Sequence, residues 1–445
     1  MSSVFPRHTN YALPVISSGD GVHLIDIDGR RYIDACGGAA VSCLGHSNKR
    51  VSDAIKSQVD KLSYAHTSFF TSEPAEALAD KLVALAPDGI EHVYLVSGGS
   101  EAVEAAIKLS RQYFLEINQP ERQHIVSRRQ SYHGNTLGAL AAGGNEWRRS
   151  QFKPLLADAM HHIDACHYWR FAQEGESEYA YGQRLANQLE QKILELGETS
   201  VAAFLVEPVV GATLGAVPAV EGYFTRIREI CDQYGVLLIL DEVMCGMGRT
   251  GSMFASEQEG INPDIVCIAK GLGAGFQPIG AMLCSATIYT AIAQGSGFFQ
   301  HGHTYLGHPV AAAAALAVID ELQESALVEQ VARRGRQFMS MLNSRLGNHP
   351  NVGHVRGRGL FVGVELVEDK QTKQPLDPSL KIHAKLKRIA FENGLMIYPM
   401  GGTVDGRLGD HVLLAPPFIA SVTELGDIVE LLDKSLHAVL PAGAR

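Results

Sequence analysis

An α/β fold built on a largely parallel sheet covered by helices is what this sequence predicts, and three observations carry the prediction. Six short apolar runs, VYLVS, HIVSR, AAFLVE, VLLILDE, DIVCIAK and IGAMLC, recur between residues 93 and 284. They alternate with segments whose apolar residues fall at helical spacing, the pattern of parallel strands joined by helices. With 445 residues, 46% hydrophobic and 19% charged, the chain can bury a large core, and its length allows two or three domains.

Residues 1–60 predict an antiparallel lead-in, because VHLIDIDGRRYIDA alternates apolar and polar residues around the turn Asp28-Gly29. A helix follows from Pro74, where SEPAEALADKLVALAP combines a capping serine, an early proline and a terminating Pro87. The six strands and their helices then occupy the middle of the chain. Pro309 to about Gly347 reads as two helices or one long broken helix, and Gly357 to Leu366 restarts strand character. A loop EDKQTKQPLDPS, a helix from Leu380 to Asn393, the strands LMIYP and HVLLAPP, and a closing helix complete a small α+β domain. The expected division is an N-terminal segment 1–60 that joins the small domain, a large domain 61–329 and a C-terminal small domain 330–445.

Charge and composition narrow the function. Thirty-eight Lys plus Arg against 48 Asp plus Glu leave a net charge of −10, which disfavours a nucleic-acid partner. No apolar stretch approaches the roughly 20 residues of a membrane-spanning helix. The amino terminus MSSVFPRHTNYALPVIS lacks the features of an export signal, so a cytoplasmic location is expected. Seven cysteines without a C-x-x-C pair point to reduced thiols. His301, His303 and His308 cluster, but no carboxylate or thiol stands at ligand spacing around them, and no metal site is expected.

Ligands of open parallel sheets bind beyond the carboxyl ends of the strands, so the polar groups that follow each apolar run are the candidates. After VYLV come Ser97-Gly98-Gly99-Ser100 and a helix, whose free N–H groups can cradle a phosphate; a tight turn with a capping serine is the plainer reading. Glu207 ends AAFLVE and Asp241 ends VLLILD, and a carboxylate emerging from so apolar a strand requires a partner. For Asp241 that partner is either Arg249 or a protonated ring nitrogen of a ligand. Lys270 ends DIVCIAK, where desolvation lowers its amine pKa and suits it to Schiff-base work. A phosphate cradle, a carboxylate for a pyridinium and an imine-forming amine are the three anchors pyridoxal phosphate demands.

The segment LILDEVMCGMGRTG followed by PDIVCIAKGLGAG strongly resembles the signature of the class III, or omega, aminotransferases, a fold-type I family that uses pyridoxal 5'-phosphate. The likeness extends through SGGSEAVEAAIKL, YHGNT at 132–136, VEPVVG at 206–211 and HTYLGHP at 303–309. The resemblance implies that Lys270 binds the cofactor aldehyde and Asp241 pairs with its ring nitrogen. It further implies that Gly99 and Ser100 hold the phosphate, that Tyr132 and Val243 sandwich the ring, and that His133 and Glu207 support it. A threonine matching Thr304 reaches the neighbouring subunit's phosphate in this family, which implies a homodimer with shared sites, standing alone or paired into a tetramer.

Two departures bear on the substrate. Val210 stands where members acting on ornithine-like substrates carry glutamine, and Leu413 stands where they carry arginine before the paired prolines Pro416-Pro417. Arg407 lies close to the mobile arginine of the amine:pyruvate and beta-alanine:pyruvate branch, and is the expected carboxylate ligand. Residues 36–46 and Tyr64 to Phe70 are expected to wall the substrate pocket. The expected reaction moves an amino group from an amine or omega-amino acid to a keto acid, pyruvate first and 2-oxoglutarate second. Isomerases, dialkylglycine-type decarboxylases and phospholyases share the scaffold and stay open at this level, with a nucleotide-binding oxidoreductase as the remote alternative.

Overall fold

The computed structural model describes residues 3–440. Its centre is a seven-stranded sheet in the order Ile90–Val96, Gly280–Ser285, Ile265–Ile268, Leu237–Asp241, Val201–Val206, His124–Arg128, Met160–Ile163. Gly280–Ser285 runs antiparallel to both neighbours, and every other pairing is parallel. Its reversal follows from the short link after Lys270: residues 271–279 hold no crossover helix, and a parallel return needs a dozen or more residues.

Side chains alternate cleanly across the sheet. Val126, Phe204, Val206, Leu238 and Leu240 pack on the helices Glu178–Leu196 and Tyr223–Tyr234. Ile125, Ala203, Leu205, Ile239 and Cys267 pack on the helix Gly99–Glu116. Both faces are therefore dry, and each buried aliphatic side chain of this size contributes roughly 1.5–3 kcal/mol. All seven cysteines are buried and unpaired.

The two chain ends meet in the small domain. Leu395 and Met396 pair in parallel with Ile33 and Asp34, adding a C-terminal strand to the N-terminal hairpin. A second, antiparallel sheet is ordered Val352–Arg358, Phe361–Leu366, Asp410–Leu414, Tyr398–Gly401. One core joins Val22, Leu44 and Val51 from the amino end with Leu342, Leu386, Leu395 and Leu425 from the carboxyl end.

Several elements lie outside the sequence expectation, among them an edge strand and a helix near the amino end. The strand Met160–Ile163 (MHHI) sits at the sheet edge, and its two histidines conceal it from any apolar criterion. The helix Lys49–Lys61 starts at Asn48, whose side chain accepts from the Val51 N–H (3.1 Å), yet only Val51 is buried along it. Pro309–Glu324 and Leu327–Leu346 are two helices, resolving the alternative of one long broken helix. No helix of the described residues is long and apolar enough to cross a membrane.

Candidate active site

A cavity of about 510 Å³ opens at the carboxyl ends of the parallel strands, lined among others by Gly99, Ser100, Tyr132, His133, Glu207, Asp241, Val243 and Lys270. Its size suits a cofactor with a small substrate. Five strand ends converge there: Ser97 follows the first, Tyr132 and His133 follow Arg128, Glu207 follows Val206, Asp241 closes its strand, and Lys270 lies two residues beyond Ile268. A larger cavity, about 690 Å³, lies at the opposite end of the sheet among Asp88, Tyr113, Arg228, Asp232 and Asp264. There Arg228 is already paired with Asp232 and Asp264, each at 2.8 Å, so its principal cation is engaged.

Asp241 does not pair with Arg249. Its Oδ2 lies 2.8 Å from His133 Nδ1, and its Oδ1 accepts from the Val243 N–H at 3.0 Å. Arg249 instead donates to the carbonyls of Leu360 (3.1 Å) and Pro416 (2.6 Å) and stacks on Phe418. Both members of the Asp241–His133 pair are buried. The other ring nitrogen, His133 Nε2, is buried without a partner among the described residues.

Glu207 meets the need that its burial creates through backbone donors: Oε1 accepts from the Tyr132 N–H (3.1 Å) and Oε2 from the Gly211 N–H (2.8 Å). Burial nonetheless holds its carboxyl above the ordinary range. Lys270 opens a single turn, Lys270–Leu272, with φ of 40°, a left-handed backbone that costs a non-glycine residue about 1–3 kcal/mol. The conformation is held by its own carbonyl, which accepts from the N–H groups of Gly273 (3.1 Å) and Ala274 (3.0 Å). Burial pushes the Lys270 amine below the usual lysine range, against the opposing pull of Asp241 and Glu207.

The helix Gly99–Glu116 begins at Gly98 with no side-chain cap, so Ser100 is inside the first turn and the capping-serine reading fails. Ser100 Oγ instead donates to Asn135 Oδ1 (2.9 Å) and accepts from the Asn135 N–H (3.1 Å). Two glycines make the close approach possible. A Cβ on Gly99 would stand 2.6 Å from Val243 Cγ1, and one on Gly134, whose φ is 141°, would stand 2.7 Å from Ser100 Oγ. An uncapped helix start, an amine and a buried carboxylate oriented by histidine face one space, and this set fits the phosphate, aldehyde and ring nitrogen of pyridoxal phosphate.

Other expected residues lie elsewhere in the single chain. Thr304 is exposed, and its carbonyl accepts from the Tyr64 hydroxyl at 3.0 Å; neither residue lines the cavity. Arg407 is exposed on the turn after Thr403, with its backbone N–H donating to Asp405 Oδ1 (2.8 Å), and it too is outside the lining. From residues 36–46 only Val41 reaches the cavity, following a left-handed turn with φ of 55°, 58°, 70° and 65° at Gly37, Gly38, Ala39 and Ala40. The segment Tyr64 to Phe70 contributes nothing to it within one chain. Val210 and Leu413 are buried in strands and offer no clamp for a carboxylate. Among the described residues no three His, Cys, Asp or Glu side chains are grouped to hold a metal ion.

Sequence reasoning missed Met244, Asn135 and Gln277. Met244 and Gln277 line the cavity, and Asn135 holds Ser100. The spacing Tyr132-His133-Gly134-Asn135 contained the signal for the last.

The profile of the family Aminotransferase class-III matches residues 4–436. An uncharacterised aminotransferase of Schizosaccharomyces pombe is 44% identical over 99% of this chain and 96% of its own. Among solved structures, the pyridoxamine-phosphate-bound aminotransferase of Vibrio fluvialis superposes with a TM-score of 0.92 at 32% identity, covering 99% of this chain and 97% of that one. A transaminase solved with L-alanine superposes at 0.90 and 37% identity, covering 96% and 99%. A match this long has one meaning: the chain belongs to the class III aminotransferases, with the fold-type I architecture of that family.

Proposed function

We propose that this aminotransferase binds pyridoxal 5'-phosphate in the 510 Å³ cavity and moves an amino group from an omega-amino acid or amine to a keto acid, pyruvate before 2-oxoglutarate. The observation that carries the reading is Lys270, partly desolvated and facing the same cavity as the Asp241–His133 pair. The cofactor supplies an electron sink when bound. Lys270 Nζ would hold the cofactor's aldehyde and, as a free amine, would take the proton from the substrate carbon that bears the amino group. A depressed amine pKa favours that role, because more of the group is free base near neutral pH. Asp241, fixed by His133, would keep a proton on the ring nitrogen. Gly99 and Ser100 would receive the phosphate at the helix start, and Tyr132 and Val243 would bracket the ring, with Glu207 anchoring the Tyr132 backbone. The structure solved with L-alanine supports pyruvate as acceptor, because alanine is its aminated form.

Thr304 and Tyr64 are proposed to serve the site of a second copy. The support is their absence from the cavity lining of their own chain and the apolar side chains nearby in sequence: Phe69, Phe70, Phe298 and Tyr305 are 60–79% exposed in one chain, an arrangement that suits a homodimer interface. The division near residues 60 and 330 is part of this reading, with the cavity in the middle segment and Val41 added from the amino end. Unpaired cysteines fit a cytoplasmic enzyme.

A panel of amine donors with pyruvate or 2-oxoglutarate, read as alanine or glutamate formed, tests the assignment. Alanine should exceed glutamate, and formation of neither would end the reading. Arg407→Ala should raise the KM for pyruvate about tenfold or more, as loss of a charged hydrogen bond of about 1.5–3 kcal/mol implies, and leave an apolar amine's KM unchanged. An unaltered pyruvate KM would remove Arg407 from the site.

A further inference from the structure

We propose that Arg148 is a positioning residue of this aminotransferase, backing the Tyr132 ring from outside the cavity so that its inner face is held against the cofactor. The inference rests on the cofactor reading above. Arg148 lies in the short helix Glu146–Arg149, and its guanidinium carbon stands 4.6 Å from the centre of the Tyr132 ring. Tyr132 belongs to the cavity lining and Arg148 does not, which puts the cation behind the ring.

The remaining surroundings of Arg148 are unusual for an arginine with a structural task. Arg356 in this chain has Glu365, Arg170 has the same carboxylate, and Arg249 has two carbonyls. Arg148 has no carboxylate in ion-pair range among the described residues. Its Nε is buried without a partner, and its Nη2 meets only the Met400 sulfur at 3.9 Å. The aromatic rings of Tyr132 and, at 5.8 Å, Trp147 are what the charge has to interact with. A half-buried guanidinium is retained there at an energetic disadvantage unless the stack itself is useful.

The helix that carries it is pinned to two neighbouring segments. Asn145 Oδ1 caps it by accepting from the Arg148 N–H (3.2 Å), Asn145 Nδ2 donates to Gln130 Oε1 (2.7 Å), and Gln130 Nε2 donates to the Gly402 carbonyl (2.8 Å). Arg148 is thus tied to the loop that carries Tyr132 and to the small-domain strand end. Tyr132 is located twice, its backbone by Glu207 and its ring by Arg148. Burial raises the Tyr132 hydroxyl pKa, and the Arg148 charge opposes that rise.

A double-mutant cycle on the full-length holoenzyme decides the matter, with the dissociation constant of pyridoxal phosphate as one readout and the Tyr132 ionisation as the other. Arg148→Met should weaken cofactor retention about 2- to 30-fold, the range of a cation–π contact of about 0.5–2 kcal/mol, and Arg148→Lys should recover part of the loss. In a Tyr132→Ala background Arg148→Met should change retention less than about twofold, because the partner through which it acts is gone. Equal losses in both backgrounds, or no loss in the first, would overturn the proposal. Ultraviolet titration, read as the difference from the matching Tyr132→Phe chain, should show the hydroxyl ionising at higher pH once the charge is removed, and an unmoved titration counts against it. That second readout needs no cofactor. Failure of the parent chain to retain pyridoxal phosphate would sink the cofactor reading, and the titration would still judge Arg148.

Discussion

Lys270→Ala should lower kcat/KM by about 10⁴-fold, the upper end of what one positioned acid–base group supplies, because the same nitrogen is proposed also to hold the cofactor. No neighbouring side chain can replace it, since among the described residues no other lysine and no arginine lines the cavity. The variant should fold. Removing a partly desolvated amine relieves an electrostatic cost, and alanine meets no steric barrier there beyond the left-handed φ of 40° that Lys270 already accepts. Borohydride reduction of the parent enzyme followed by peptide mass mapping should place the cofactor on the peptide containing Lys270, and the variant should carry no label. A parent enzyme labelled elsewhere, or a variant turning over within tenfold of the parent, would contradict the assignment of Lys270.

Asp241→Asn should cost about 10² to 10³-fold in kcat while leaving the fold intact, the size seen when one preorganised charge or donor is withdrawn from a developing charge. The amide keeps an oxygen for the Val243 N–H and has the shape of the carboxylate. What it loses is the negative charge proposed to serve the ring nitrogen, and it presents an N–H toward His133 in place of an acceptor. His133→Asn should cost less, because it removes the support and leaves the charge. Stopped-flow measurement of the first half-reaction isolates the effect from product release. Equal rates for parent and Asp241→Asn would show that the carboxylate serves only to hold His133 and Val243 in place.

Much of this site was legible because its groups are tied to strand ends. An aliphatic strand announces itself by composition, and the first polar residue after it must sit at the sheet's carboxyl edge, so Glu207, Asp241 and Lys270 could be placed before any coordinates. The glycines at the helix start that follows Val96 were visible for a similar local reason. The partner of Asp241 was not. Arg249, eight residues away in sequence, turned to the carbonyls of Leu360 and Pro416, and His133, 108 residues away, took the carboxylate. Local spacing has no access to contacts of that range, and the edge strand MHHI escaped for the opposite reason, having too little apolar character to register.

By itself the sequence determined the α/β class, the order of most elements and the three chemical anchors, since each depends on periodicity or on residues next to a strand. Only the tertiary structure decided that one cavity gathers five strand ends, that histidine meets Asp241, that the Arg148 guanidinium stacks on Tyr132, and that Tyr64, Thr304 and Arg407 are outside the cavity lining of their own chain. The physical reason is range. Hydrogen-bonded periodicity and hydrophobic alternation act within a few residues, whereas burial, pairing of charge and the closing of a cavity depend on segments more than a hundred residues apart packing at fixed distances.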